Sequence, residues 1–181
     1  MQTMVTRDAL NTATWSMSLA GKYLTFHLAT EEYAVEVMKV REIMGVLHIT
    51  MVPQTPAEVK GVINLRGKVI PVIDLRVKFG LPEAPYTQRT CIIVVQPSGD
   101  AGAQMGIIVD EVSEVLNLAP GDIQKTPDFG TGVEMPHLLG LAKVKDKVKI
   151  LLDIDCVLSS RELQTLASIV DPQVLPAFTE N

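Results

Sequence analysis

The stretch GVINLRGKVIPVIDL, residues 61–75, decides the reading of this chain. Two apolar runs are split at Arg66-Gly67, and Gly67 supplies the positive φ that a tight hairpin turn requires. Pro71 sits inside the second run. It has no N–H for a ladder, which predicts a sheet edge or a bulge there. The pattern returns without a gap as GLAKVKDKVKILLDI, residues 140–154. Gly61 falls over Gly140, Lys68 over Lys147, Val69 over Val148 and Asp74 over Asp153, with Arg66 opposite Lys145. Upstream, YAVEVMKVREIM (33–44) lies over MGIIVDEVSEVL (105–116), matching Val37 to Val109, Val40 to Val112 and Glu42 to Glu114. Two aligned blocks in the same order predict a duplicated β unit. The competing reading is that any two amphipathic hairpins look alike.

Working outward, KYLTFHLA (22–29) and YAVEV (33–37) alternate with period two. Leu24, Phe26 and Leu28 point one way and Tyr23, Thr25 and His27 the other, which predicts a hairpin with one buried face. Ala29 to Glu32 supplies the turn. Thr55, Pro56 and Glu58 form a capping-box pattern, predicting a short helix that Gly61 ends. Lys143, Lys145, Lys147 and Lys149 alternate with Val144, Asp146 and Val148, predicting a solvated face against a buried one, with Asp146 at the turn. Residues 1–20 read as a loose arm. Ser159 and Glu162 cap a C-terminal helix over 159–171 with Leu163, Leu166 and Val170 as its stripe, and 172–181 read as a tail. The expected architecture is mainly all-β. Two small antiparallel barrels fill 21–158, roughly 21–84 and 85–158 with strands free to exchange, joined by short helices.

The 181 residues are 47% hydrophobic and 20% charged, the balance of a globular chain. A net charge of −5 with no Lys/Arg-rich run argues against a nucleic-acid partner. No basic-then-apolar leader opens the sequence, and no apolar run is long enough for membrane insertion, so the expected location is cytoplasmic. Cys91 and Cys156 each sit in an apolar run and read as buried free thiols. His27, His48 and His137 lack metal-ligand spacing, and no cofactor motif is present. The best acid–base candidate is Asp153 with Asp155, which share a face if the strand continues. The alternative is a strand end at which Asp starts a turn. A hydrolytic or small-ligand-binding tandem barrel, using these carboxylates or His137 in a cleft, is therefore the competing class.

The segment PAEVKGVINLRGKVIPVIDLRVKFGL (56–81) closely resembles the central signature of the CheW family of chemotaxis coupling proteins. EEYAVEVMKVREIMG (31–45) resembles its upstream block, and G-I-x-V-D-x-V-x-x-V-L follows in order at 106–116. The resemblance covers about 20–170. It implies two packed SH3-like, five-stranded barrels acting as a scaffold without catalysis, cofactor or metal. The implied partners are the cytoplasmic tip of methyl-accepting chemotaxis receptors and the regulatory domain of a CheA-type histidine kinase, with self-association in rings left open. The protein would be recruited to membrane-associated receptor arrays. A related adaptor of a non-flagellar pathway is a further alternative. By matching motifs, Val40, Glu42 and Arg66 fall where the family contacts receptors. An Arg on an exposed turn suits recognition of a carboxylate or carbonyl on a partner helix, although a turn arginine can equally lack any partner. Glu42 and Arg66 are expected to pair with each other. Gly61, Asn64, Gly67 and Asp74 read as structural, through backbone conformation and local hydrogen bonds. The kinase-docking residues are not legible.

Overall fold

The computed structural model describes residues 7–97, 103–126 and 137–158. Its elements run α1 (Arg7–Leu19), β1 (Gly21–Leu28), β2 (Glu31–Glu36), β3 (Val40–Gly45), β4 (Val59–Leu65), β5 (Lys68–Asp74), α2 (Leu75–Lys78), β6 (Cys91–Val95), β7 (Met105–Val109), β8 (Glu111–Leu118), β9 (Ile123–Gln124), β10 (Leu138–Val144), β11 (Lys147–Leu152) and α3 (Ile154–Val157). The C-terminal helix and tail expected over 159–181 lie outside the described residues.

The quoted stretch forms the hairpin β4–β5, and its partner forms β10–β11. Both turns hold two residues at positive φ, Arg66 and Gly67 at 52° and 83°, Lys145 and Asp146 at 50° and 64°. This is the mirror-image turn whose twist suits a hairpin. An aspartate at the end of β5, Asp74, and one just after β11, Asp153, cap the short helices α2 and α3. The duplication extends to register. Val72 opposes Gly106 across β5 and β7 as Leu151 opposes Ala34 across β11 and β2, the pairing that the two overlaid blocks demand.

The strands form two sheets, in the orders β8-β1-β2-β11-β10-β9 and β3-β6-β7-β5-β4. They are mixed rather than purely antiparallel, because β2/β11 and β5/β7 run parallel, and the first has six strands. Each parallel pair is made between halves, β2 with β11 and β5 with β7. Strand β3 crosses to β6 and β8 crosses back to β1. A division at 84/85 therefore separates the two halves of the chain but not the two sheets.

Each sheet curls around its own core. Tyr23, Ala34, Leu118, Ile123, Ala142 and Leu151, one from each of six strands, cluster inside the first. Ile63, Ile70, Val72, Ile92, Val94 and Ile108 fill the second, with Met44 of β3 packed against them. A third cluster lies between the barrels and includes Leu24, Phe26, Leu28, Val35, Ile73, Ile93, Val95, Ile107 and Val109. Strands next to it are buried on both faces, which is why CIIVV and MGIIV read as unbroken apolar runs. For the same reason β1 hides Tyr23 and Thr25 as well as Leu24 and Phe26, where one buried face was expected.

Four local readings are corrected. Residues 55–58 form a turn and no helix: Thr55 Oγ1 donates to the Val52 carbonyl, and the Glu58 carbonyl already serves the N–H of Asp74. Residues 7–19 form α1, held by Trp15 and Leu19 one helical turn apart against the first barrel's core, with Tyr23 donating its hydroxyl to the Leu19 carbonyl. Pro71 lies in an interior strand. Its partner Val62 spends both backbone groups on Thr50, and the β7 ladder begins only at Val72, so no donor is missed. The lysine alternation is broken by the turn at 145–146, which puts Lys149 on a buried face (5% exposed) and leaves Val148 52% exposed. Cys91 and Cys156 form no disulfide and are half-buried where buried thiols were expected.

Candidate functional site

The β4–β5 turn is built to present one side chain. Asn64 Oδ1 accepts the Gly67 N–H at 2.9 Å, closing the turn from inside. Arg66, a non-glycine residue at positive φ, is thereby held at the apex. Its Nη1 and Nη2 donate to Glu42 Oε1 and Oε2 at 3.1 and 2.5 Å, a bidentate pair between the turn and β3. The hydrogen bond from Arg66 holds the Glu42 carboxyl below its ordinary range, and the same bond raises Arg66. Both groups face solvent, so the pair adds little to stability. Its effect is to fix a planar guanidinium while using two of arginine's five N–H donors.

Val40 and Glu42 are not equivalent. A bulge falls between them on β3, and Val40 packs against the inter-barrel core while Glu42 reaches the turn. Ile43, next to Glu42, and Val69, three residues after Arg66, are 43% and 39% exposed. The sequence reading did not single them out, because β-period alternation cannot tell an exposed apolar residue from one facing a core. Gly61 approaches the Thr50 backbone closely, and Asp74 accepts the Arg76 N–H at 2.9 Å as a helix cap. Burial pushes the Asp74 carboxyl up, against that hydrogen bond.

The competing acid–base constellation is not assembled. Asp153 Oδ1 accepts the N–H groups of Asp155 and Cys156 as the α3 cap, and Asp155 pairs with Lys39 at 2.9 Å. His137 stacks obliquely on Phe79, and its carbonyl accepts the Asp153 N–H. Among the described residues no cluster of His, Cys, Asp or Glu could hold a metal. A groove of about 530 Å³ beside residues 49–57 is lined by Ile49, Val52, Pro53, Pro56 and Tyr86. The charged residue on its wall, Lys60, is engaged by Glu83 at 2.5 Å. No described helix is long and apolar enough to cross a membrane.

A second bidentate pair was also missed. Arg76 Nε and Nη2 donate to Asp110 Oδ1 and Oδ2 at 2.7 and 2.5 Å, and the Ala29 N–H donates to Asp110 Oδ2 at 2.8 Å. Burial raises the Asp110 carboxyl, but these hydrogen bonds outweigh it and the net shift is downward from 3.8. The folded state thus keeps Asp110 ionised to lower pH than the unfolded chain does. Its contribution is complete above the ordinary value and is lost as pH falls through the lowered one. Asp110→Asn should therefore be less stable than wild type at pH 7, by roughly 1–3 kcal/mol. The gap should close as pH drops below about 4. Urea midpoints at pH 7 and pH 3 measure this; a gap that stays constant would contradict it.

Comparisons with known proteins agree with this architecture. The family model for the CheW-like domain matches residues 22–162. Chemotaxis protein CheW of Klebsiella aerogenes is 38% identical over 153 residues, covering 84% of this chain and 90% of that protein. Its namesake in Rhizobium meliloti is 36% identical over 154 residues, covering 81% and 97%. The crystal structure of the scaffolding protein TtCheW from Thermoanaerobacter tengcongensis superposes with a TM-score of 0.70 at 34% identity, over 79% of this chain and 95% of that one. On the fold, the family model and these relatives together, the chain belongs to the CheW family of chemotaxis coupling adaptors.

Proposed function

We propose that this adaptor couples the cytoplasmic tip of a methyl-accepting chemoreceptor to the regulatory domain of a CheA-type histidine kinase. It does so by binding alone, without catalysis, in the cytoplasm at receptor arrays. Val40, Glu42 and Arg66 belong to the receptor face, with Ile43 and Val69 supplying exposed apolar surface beside it. Gly61, Asn64, Gly67 and Asp74 keep that face in shape. The observation that carries the reading is the bidentate Arg66–Glu42 pair, a planar cation pre-set on an exposed turn. Pre-orientation lowers the ordering cost of binding a helix that offers a carboxylate or carbonyl.

Arg66→Glu should reduce co-sedimentation with a receptor cytoplasmic fragment at least tenfold while the circular dichroism spectrum stays native. Combining it with Glu42→Arg should recover part of the loss, because the pair re-forms with opposite polarity. An unchanged affinity in Arg66→Glu rules this face out. Equal loss in the single and double variants rules out the pair as its organiser.

A further inference from the structure

A duplicated fold has a choice to make. The hairpins β4–β5 and β10–β11 present equivalent edges, and β2 and β7 are equivalent strands in identical register. The native fold joins β2 to β11 and β7 to β5, each across the two halves. The simpler closure, β2 on β5 and β7 on β11 within one half, uses the same backbone bonds.

The ion pairs at the ends of the two parallel seams discriminate between these outcomes. Beyond β5 and β7, the cation Arg76 follows the hairpin and the anion Asp110 follows the single strand. Beyond β11 and β2, the anion Asp155 follows the hairpin and the cation Lys39 follows the single strand, at 2.9 Å. In the overlay of the halves Arg76 coincides with Asp155, and Lys39 coincides with Glu111, the neighbour of Asp110. The polarity is reversed from one seam to the other. Closure of each half on itself would therefore set Lys39 against Arg76 and Asp110 against Asp155. Both native matches would become repulsions, in sites where side chains are mostly shielded from water.

The barrel interiors repeat the signal. Buried Lys149 on β11 is paired with Glu32 on β2 and lies 3.5 Å from Glu114 on β8, so it ties strands from both halves. At its place in the other barrel stands Ile70, 1% exposed, and at the place of Glu32 stands Gln104. Closure within halves would leave Glu32 facing Ile70 and Lys149 facing Gln104, so each would lose the opposite charge it faces in the native seam.

We infer that the reversed pairs Arg76–Asp110 and Lys39–Asp155, backed by Lys149–Glu32, form a charge code that assigns each strand to the hairpin of the opposite half and so specifies the exchanged topology. Similar patterns set partner choice between like helices by making the wrong match repulsive.

Two variants test it, both carrying Lys149→Ile with Glu32→Gln so that the barrels are alike inside. The first adds Arg76→Asp with Asp110→Lys. Every native pair is still opposed, but the two seams now have one polarity, and Lys39 would meet an acid at position 76. The second reverses both seams, adding Lys39→Asp and Asp155→Lys to those changes, which restores the contrast. After refolding from urea, the first should give at least two sets of amide resonances or a several-fold lower yield of native monomer. The second should give one set at wild-type yield. Equal behaviour of the two variants, whether both clean, both mixed or both unfolded, overturns the inference, since they differ only in polarity.

Discussion

Replacing Gly61 with alanine should destabilise the protein by roughly 3–5 kcal/mol, a large share of the 5–15 kcal/mol available to a folded domain. Gly61 has φ at +139°, a region that side chains rarely enter. A Cβ built there would sit 2.0 Å from the Thr50 carbonyl oxygen and 2.7 Å from its carbon. The obstacle is backbone, so no rotamer change relieves it. Thr50 is held in place by exchanging two hydrogen bonds with Val62, at 2.8 and 2.9 Å. Moving it away breaks the bridge that extends the second sheet beyond β4. The equivalent Gly140 is the internal control. An added Cβ there would lie 2.8 Å from the Gln124 carbonyl oxygen and 3.1 Å from the Trp15 ring, and no positive φ is involved. Gly140→Ala should cost less than half as much. Urea midpoints of the two variants decide it: comparable losses would mean that the positive φ and the Thr50 clash are not the cause.

Lys149→Ala should also cost roughly 3–5 kcal/mol, through a different mechanism. Lys149 is a lysine inside a barrel wall, paired with a largely buried Glu32. Its hydrogen bond holds the Glu32 carboxyl below its ordinary value despite burial. Removing the cation strands that carboxylate and opens a void. Exchanging both partners for uncharged groups, Lys149→Ile with Glu32→Gln, should recover most of the loss, since removing both charges removes their desolvation cost. The single variant should regain stability relative to wild type as pH falls. A lowered carboxylate contributes fully above the unfolded value and is lost as pH falls through the lowered one, so wild type loses an advantage that the variant never had. Thermal unfolding at pH 7 and pH 3 checks both statements. A double variant as unstable as Lys149→Ala would show that shape rather than charge is at issue.

Much of this was legible because a hairpin's period and turn chemistry are local. Arg66-Gly67 and Lys145-Asp146 mark turns in the sequence and are turns in the fold. Asp74 read as a structural residue making local hydrogen bonds, and Asp153, in the alternative to its acid–base reading, as a strand end that starts a turn; both cap helices. What misled were patterns whose outcome is set by distant segments. Thr55-Pro56-Ala57-Glu58 has the chemistry of a helix start, but strand pairing four residues on claims its backbone. Four alternating lysines look like one solvated face until a two-residue turn sends Lys149 inward, where Glu32 waits from the other half of the chain. Pro71 suggested an edge, because nothing local reveals that Val62 bonds elsewhere. Of the docking face proposed above, Arg66 and Glu42 were visible through their motifs. Ile43 and Val69 were not, since exposure belongs to the surface and not to the residue type.

The interlacing of the two halves has a consequence for how the adaptor fails. Cutting the chain between 84 and 85 yields two pieces, each lacking strands that complete either barrel. Neither piece can persist as a one-armed binder, and mixing them should reconstitute the whole. Such interlacing should make the molecule melt in a single cooperative step, so damage beside one proposed footprint lowers occupancy by both proposed partners together. Under the proposed coupling, a destabilised copy is lost whole and leaves no half-molecule that would occupy a receptor without delivering a kinase.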